Sequence, residues 1–387
     1  MKAVRPLIVL IAAAMTLSIA PVPACADSWM LPTTTSYVSC GGHVRMTVVP
    51  RDLENQLRYF KDKVEKVEPA GQKAGGVRAP TARLERRAGK GWETVWEREI
   101  VNEVAPVTAI VRDDGAYAVT FDNWHSVGYG PDVVVIYAAG GKLVRALALS
   151  DILPDDYVAA LPHSVSSIGW RGEPRFSSDG ERVLIPVGIP GKDEGNGRAT
   201  IEFAVALADG AVAPVDAAAW ASALAAGKVV RAEQLAAETA RKVAFIAPLL
   251  GPKDNTQGEW HDYLREGVAR LIGDEETSST TVLRLPDAKD YAVSEKWVRE
   301  RLTDPHADHV ALASLSEPNL VAVLGKIGTK LPDGSLSKAT VFVAVSDSYW
   351  PHVMTAMRGS GAKLVQLHPA TPIPQRPERI ARRYGTD

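Results

Sequence analysis

The chain runs to 387 residues, with 44 basic and 46 acidic side chains and a formal charge of −2. So even a balance provides no basic face, which argues against a nucleic-acid partner, and the length suffices for two domains. Two cysteines are too few for a disulfide framework.

Residues 1–26 read as a secretory signal peptide. Lys2 and Arg5 supply a positive start, Leu7 to Ala20 an apolar run, and Ala24-Cys25-Ala26 the small residues a signal peptidase reads, so cleavage is expected after Ala26. The apolar run is 14 residues long, short of the ~20 that a spanning helix needs. No later segment is longer, so no transmembrane segment is expected. An alternative uses Val22-Pro23-Ala24-Cys25 as a lipoprotein box, with Cys25 acylated and anchoring the chain. Cleavage would leave Cys40 as the sole cysteine, excluding an intramolecular disulfide, and a charge of −4. The expected destination is periplasmic or secreted.

The overall pattern is α+β. Residues 27–212 predict an antiparallel all-β domain of repeated hairpins, 213–370 an α/β domain, and 371–387 a Pro/Arg-rich tail. In the first half, three stretches align: Val38 to Val48, Val111 to Phe121, and Phe176 to Ile185. Each sets a glycine turn before an alternating strand, the pattern of a hairpin with one buried face. Counted from Gly41, Gly115 and Gly180, the spacings are 74 and 65 residues. Further strands follow each copy: Thr81 to Leu84 and Glu93 to Trp96; Asp132 to Tyr137 and Lys142 to Leu147; Ala199 to Leu207 and Ala211 to Pro214.

Phe176-Ser177-Ser178-Asp179-Gly180-Glu181-Arg182-Val183 resembles the blade repeat (PD40) of TolB-type β-propellers. The resemblance covers about ten residues per copy and implies stacked antiparallel blades. Its spacing departs from the ~40–50 residues of ordinary blades. Three or four enlarged blades are too few for a closed ring, so the expectation is a curved, partly open stack of sheets or a β-sandwich.

In the second half, helices are expected over Ala217 to Ala226, Arg231 to Ile246 after a break at Gly227, Gln257 to Ile272, Val293 to Leu302 and Tyr349 to Arg358. Trp260, Leu264, Val268 and Leu271 give the third of these one apolar face. Thr280 to Leu285, Val310 to Leu315, Leu320 to Leu324, Thr340 to Val345 and Lys363 to Leu367 read as strands. From Pro369 the proline-rich tail is expected to lie extended on the surface. Arg83, Arg86 and Arg87, and Arg379, Arg382 and Arg383, read as solvated faces.

The densest candidate site is Asp122-Asn123-Trp124-His125-Ser126-Val127-Gly128-Tyr129-Gly130, a hairpin loop presenting aromatic and polar groups. A second cluster, Asp155-Asp156-Tyr157 followed by Leu161-Pro162-His163-Ser164, repeats the His-Ser-Val triplet of 125–127 at 163–165. Convergence of His125 and His163 with Asp122 or Asp156 would bind zinc or activate a serine. No nucleophile elbow and no His-Glu-x-x-His helix accompanies them. Asp304-Pro305-His306-Ala307-Asp308-His309 is read as a loop rather than a metal site. Ser346-Asp347-Ser348 is read as a helix cap rather than an anion site. Trp92, Trp96, Trp124, Trp170 and Trp220 are expected in the sheet core, with sugar stacking as the alternative.

The expected function is therefore that of an exported cell-envelope protein, a non-catalytic module for a small ligand or an envelope protein. Asp122, Asn123, Trp124, His125, Tyr129 and His163 are its candidate ligand-binding residues, with no metal and no cofactor. The alternative is an exported hydrolase, metal-assisted or not, using His125 and His163 with nearby Asp and Ser groups.

Overall fold

A computed structural model describes residues 29–194, 197–274 and 278–385. The leader with its cleavage site and Cys25 lies outside the described residues. The chain divides into two compact units after Gln234.

The first unit holds three antiparallel four-stranded sheets, each a consecutive meander. Sheet one comprises β1 (Thr35–Val38), β2 (Val44–Val49), β3 (Thr81–Ala88) and β4 (Gly91–Glu99), with helix α1 (Gln56–Glu65) inserted after β2. Sheet two comprises β5 (Pro106–Val111), β6 (Tyr117–Asn123), β7 (Val134–Ala138) and β8 (Leu143–Leu147). A short helix α2 (Asp155–Ala160) precedes sheet three: β9 (Arg175–Phe176), β10 (Arg182–Glu194), β11 (Gly197–Ala206) and β12 (Val212–Pro214).

Strand alternation explains how the three sheets stack. In sheet two, Ala118 pairs with Tyr137 and Thr120 with Val135; Ala118, Tyr137 and Val135 join the core made with Val44, Met46 and Leu84 of sheet one. The intervening pairs, Val119 with Ile136 and Phe121 with Val134, enter the core shared with Val183, Ile185 and Phe203 of sheet three. Sheet two is thus buried on both faces, as a period of two allows only between two partner sheets. The far face of sheet one is a polar ladder: Arg45 donates to Glu85 at 2.6 and 3.1 Å, and Arg83 to Glu97 at 2.9 and 3.1 Å. Arg45 also covers the half-buried ring of Trp92 at 4.4 Å. A charged outer face ends the stack there.

The three aligned stretches occupy one structural position, the turn between the first and second strand of each sheet. Gly42, Gly115 and Gly180 have φ of 71°, 70° and 69° and donate to the carbonyls of Ser39, Arg112 and Ser177, each at 2.9 Å. Positive φ favours glycine, which tolerates it without a Cβ clash. The equivalent glycine of the first copy is therefore Gly42 rather than Gly41, which makes the spacings 73 and 65 residues.

Helix α3 (Ala217–Ile246) runs unbroken through Gly227, contrary to the expected break. The reason for the glycine is tertiary: a Cβ there would come within 2.9 Å of the Tyr157 ring.

The second unit centres on a parallel sheet in the order β13 (Ser279–Leu283), β14 (His309–Ser314), β15 (Thr340–Val343) and β16 (Lys363–Gln366). The helix α4 (Gln257–Ile272) covers one face through Trp260, Tyr263, Leu264 and Val268. Three helices cover the other: α5 (Tyr291–Thr303), α6 (Glu317–Gly328) and α7 (Trp350–Ala356). Leu320 to Leu324, expected as a strand, lies within α6. Leu320, Val323, Leu324 and Ile327 are its buried positions, a spacing of three and four that only a helix explains.

The tail also departs from expectation. Ile373 forms a bridge with Leu249, and Pro377–Tyr384 is helix α8. Arg379, expected in solvent, is 8% exposed. It donates to Glu266 at 3.0 and 3.1 Å and to Asp274 at 3.0 Å, fastening the tail to α4. Among the described residues no helix is long and apolar enough to cross a membrane.

Candidate functional site

The loop 122–130 is where its sequence placed it, between β6 and β7, but most of its polar groups are committed to the fold. Asp122 is fully buried. Its Oδ1 accepts from Gly128 N at 2.8 Å and Trp170 Nε1 at 3.0 Å; its Oδ2 accepts from Arg171 Nε at 2.9 Å and Nη2 at 2.7 Å. Four bonds fill a carboxylate's acceptor positions, so Asp122 has none left for an imidazole. Asn123 Oδ1 accepts from Asn102 Nδ2 and Glu103 N, both at 3.2 Å. Trp124 is buried against Tyr59, with Nε1 donating to Met30 O at 2.8 Å. Trp96 and Trp170 are likewise buried, as expected of core tryptophans.

The two histidines have separate surroundings. The His125 ring packs on Phe60, Trp124 and Trp29, with centroids 4.3, 5.5 and 5.6 Å away. His163 Nε2 lies 2.9 Å from the Val158 carbonyl and Nδ1 3.3 Å from Tyr129 Oη, whose hydroxyl donates to Ser164 O at 3.2 Å. The loops that carry them do meet: Val127 N donates to Ser166 O at 3.0 Å and Ile168 N to Val127 O at 2.9 Å. Tyr129 and His163 line a shallow 360 Å³ depression with Gly128, Asp155 and Val158. Among the described residues, no group of three His, Cys, Asp or Glu side chains is placed to hold a metal. His306 is exposed in a loop and His309 opens β14. Ser346, after β15, donates to Glu317 Oε2 at 2.6 Å and forms no cap bond to α7.

A larger feature escaped the residue-by-residue reading. The three equivalent turns converge on a cleft of about 740 Å³. Its apolar floor comes from the first strand of each sheet, with Val38 of β1, Ala109 and Val111 of β5, and Phe176 of β9. Each of these strands is the edge of its sheet, so it presents backbone groups that no further strand of its sheet pairs. The turns are tied to one another across the cleft rim. Gly41 N donates to Asp113 Oδ1 at 2.6 Å, and Arg112 Nη1 donates to Gly180 O at 2.6 Å. A Cβ on Gly41 would lie 2.9 Å from Asp113 Oδ1, which accounts for this glycine.

The rim is acidic. The Gly41 amide holds the Asp113 carboxyl below its ordinary range, the Arg112 guanidinium does so for Asp114, and the Ser177 hydroxyl, the Glu181 amide and Arg182 for Asp179. All three are therefore anions at neutral pH. The two arginines of the cleft are matched internally, Arg112 by Asp114 and Arg175 by Glu202. Asp113 is stabilised by the Gly41 amide without a Lys or Arg ion-pair partner among the described residues. The cleft thus offers an apolar floor, edge strands, and a carboxylate, Asp113, held by the Gly41 amide, the Ser39 hydroxyl and the neighbouring His43 rather than by a Lys or Arg. The aligned turns in the sequence were the available signal; their convergence was not legible there.

No protein-family model matches the chain, and no curated protein shows significant similarity to it.

Proposed function

We propose that this chain is an exported envelope protein whose stack of three sheets binds a ligand or protein partner in the cleft between its equivalent turns, without chemistry of its own. The observation that carries this reading is the convergence of three repeated turns and three edge strands on one 740 Å³ cleft. Pockets of this size, apolar with a few placed polar groups, are typical binding sites. The favoured ligand joins an apolar portion to a cationic group, the first for Val38, Ala109 and Phe176, the second for Asp113. An extended segment of an envelope protein with a basic residue meets both conditions. The shared glycine turn of the three sheets, with Gly42, Gly115 and Gly180 at equivalent positions, supports a stack whose turns serve one site.

Export rests on the leader, and amino-terminal sequencing of protein from the envelope is expected to begin at Asp27. For the cleft, Val38→Arg together with Ser178→Trp fills it from two sides, and both positions are exposed enough to leave the cores intact. Purified wild-type protein is expected to retain a discrete partner from envelope extract that the double variant loses at unchanged melting temperature. Identical retention by both proteins would refute the assignment.

A further inference from the structure

The second unit carries a pocket independent of the cleft, about 420 Å³ in volume, at the open edge of β13. Its walls come from α4 and from α5 with the residue that follows it: His261 on one side, and Trp297, Glu300, Arg301 and Asp304 on the other, with Thr280 between them. On α5, Trp297 and Arg301 stand four apart and share one stripe, and Asp304 follows directly after the helix ends.

Trp297 is the exception among the nine tryptophans, all of which lie in the described residues. It is 41% exposed, whereas the rest are buried or half-buried. Its ring meets the Arg284 guanidinium at 5.6 Å. Around it stand planar hydrogen-bonding groups left largely to solvent. Arg301 has no ion-pair partner among the described residues, and Glu300 reaches only the exposed Lys296, at 3.5 Å. His261 engages the Thr280 hydroxyl through Nδ1 at 3.0 Å, so Nε2 is the nitrogen available to a ligand. Burial and the nearby Arg265 hold this imidazole below its ordinary range, which keeps it neutral at pH 7.

We infer that this pocket binds a saccharide. A pyranose ring has an apolar face of C–H groups that suits an indole, and vicinal hydroxyls that suit two-point bonding by carboxylate and guanidinium. An anionic ligand would meet Glu300 and Asp304 alongside Arg301, and a purely apolar one would strand all three. A neutral sugar satisfies both signs of charge and the ring at once, and the volume accommodates one or two sugar units.

The test uses the full chain and three probes: maltotriose, mannotriose and the trimer of N-acetylglucosamine. Titration is followed by tryptophan fluorescence and by calorimetry. At least one probe is expected to bind at about 1 mM or tighter, the weak end of specific recognition. Trp297→Leu should weaken it at least tenfold, Trp297→Tyr, which keeps an aromatic face, should restore most of the affinity, and Glu300→Gln should weaken it at unchanged melting temperature. The inference is overturned if no probe binds at about 10 mM, ten times that weak end. It is equally overturned if binding persists in Trp297→Leu, or if sulfate binds in place of the sugars and is lost in Arg301→Gln.

Discussion

Replacing Asp122 by Asn tests whether this residue is structural. Asp122 sits at φ 57°, a left-handed conformation that Asn tolerates as well as Asp, so the backbone is left undisturbed. The amide oxygen can still accept from Gly128 N and Trp170 Nε1. Its NH2 group, however, would face the two Arg171 donors now bound to Oδ2. The Arg171 side chain is 9% exposed and Asp122 0%, so the guanidinium is left as a buried charge without its counter-ion. Removing one partner of such a pair costs about 3–5 kcal/mol. A unit of roughly 200 residues loses about 2–4 °C of Tm per kcal/mol, so the expected drop is about 6–20 °C. Thermal melting monitored by circular dichroism measures this drop, and urea titration measures the free-energy loss behind it. Adding Arg171→Met removes the stranded charge while keeping an apolar stem against Phe121 and Trp170, and is expected to recover a large part of the loss. An Asp122→Asn protein within about 1 kcal/mol of the parent, near the average cost of any substitution, would refute the buried-clamp argument and return Asp122 to the pool of ligand-binding candidates.

Two other perturbations have a sign fixed by the structure. Gly227→Ala should gain about 1 kcal/mol in helix propensity, yet the new Cβ would stand 2.9 Å from Tyr157 Cδ2 and 3.6 Å from Pro190 Cγ. Net destabilisation of about 1–2 kcal/mol is expected, and a more stable variant in thermal melts would show that α3 does not pack closely there. For Glu266, burial pushes the carboxyl up, but Arg379 and Arg270 more than offset this and hold it below its ordinary value. Its contribution is then complete above the unfolded-state value of about 4.3 and is lost as pH falls through the lower folded one. Glu266→Gln should lower the stability of the second unit at neutral pH and flatten its acid limb. Parallel pH profiles for variant and parent would contradict the link between α8 and α4.

The α+β architecture was legible in local pattern because strand and helix periods are written in neighbouring residues. Alternation marked the hairpins, the steps of four and three marked Gln257 to Ile272, and Asp-Gly marked the turns that became Gly115 and Gly180. Length and flanks misled at Leu320 to Leu324, since five apolar residues fit a buried strand or one buried helical face equally well. Gly227 looked like a helix break because propensity is a local quantity, and its actual neighbour, Tyr157, lies 70 residues earlier in the chain. The same limit governed the candidate sites. The composition of 122–130 announced polar and aromatic groups, but only the fold showed that Trp170 and Arg171, about fifty residues downstream, consume Asp122. Likewise the three turns were visible one at a time, and the cleft they share exists only because alternate residues of sheet two bury it between the other two sheets. Periodicity is a property of neighbours in the chain; occupancy of a hydrogen bond and convergence of distant turns are properties of neighbours in space.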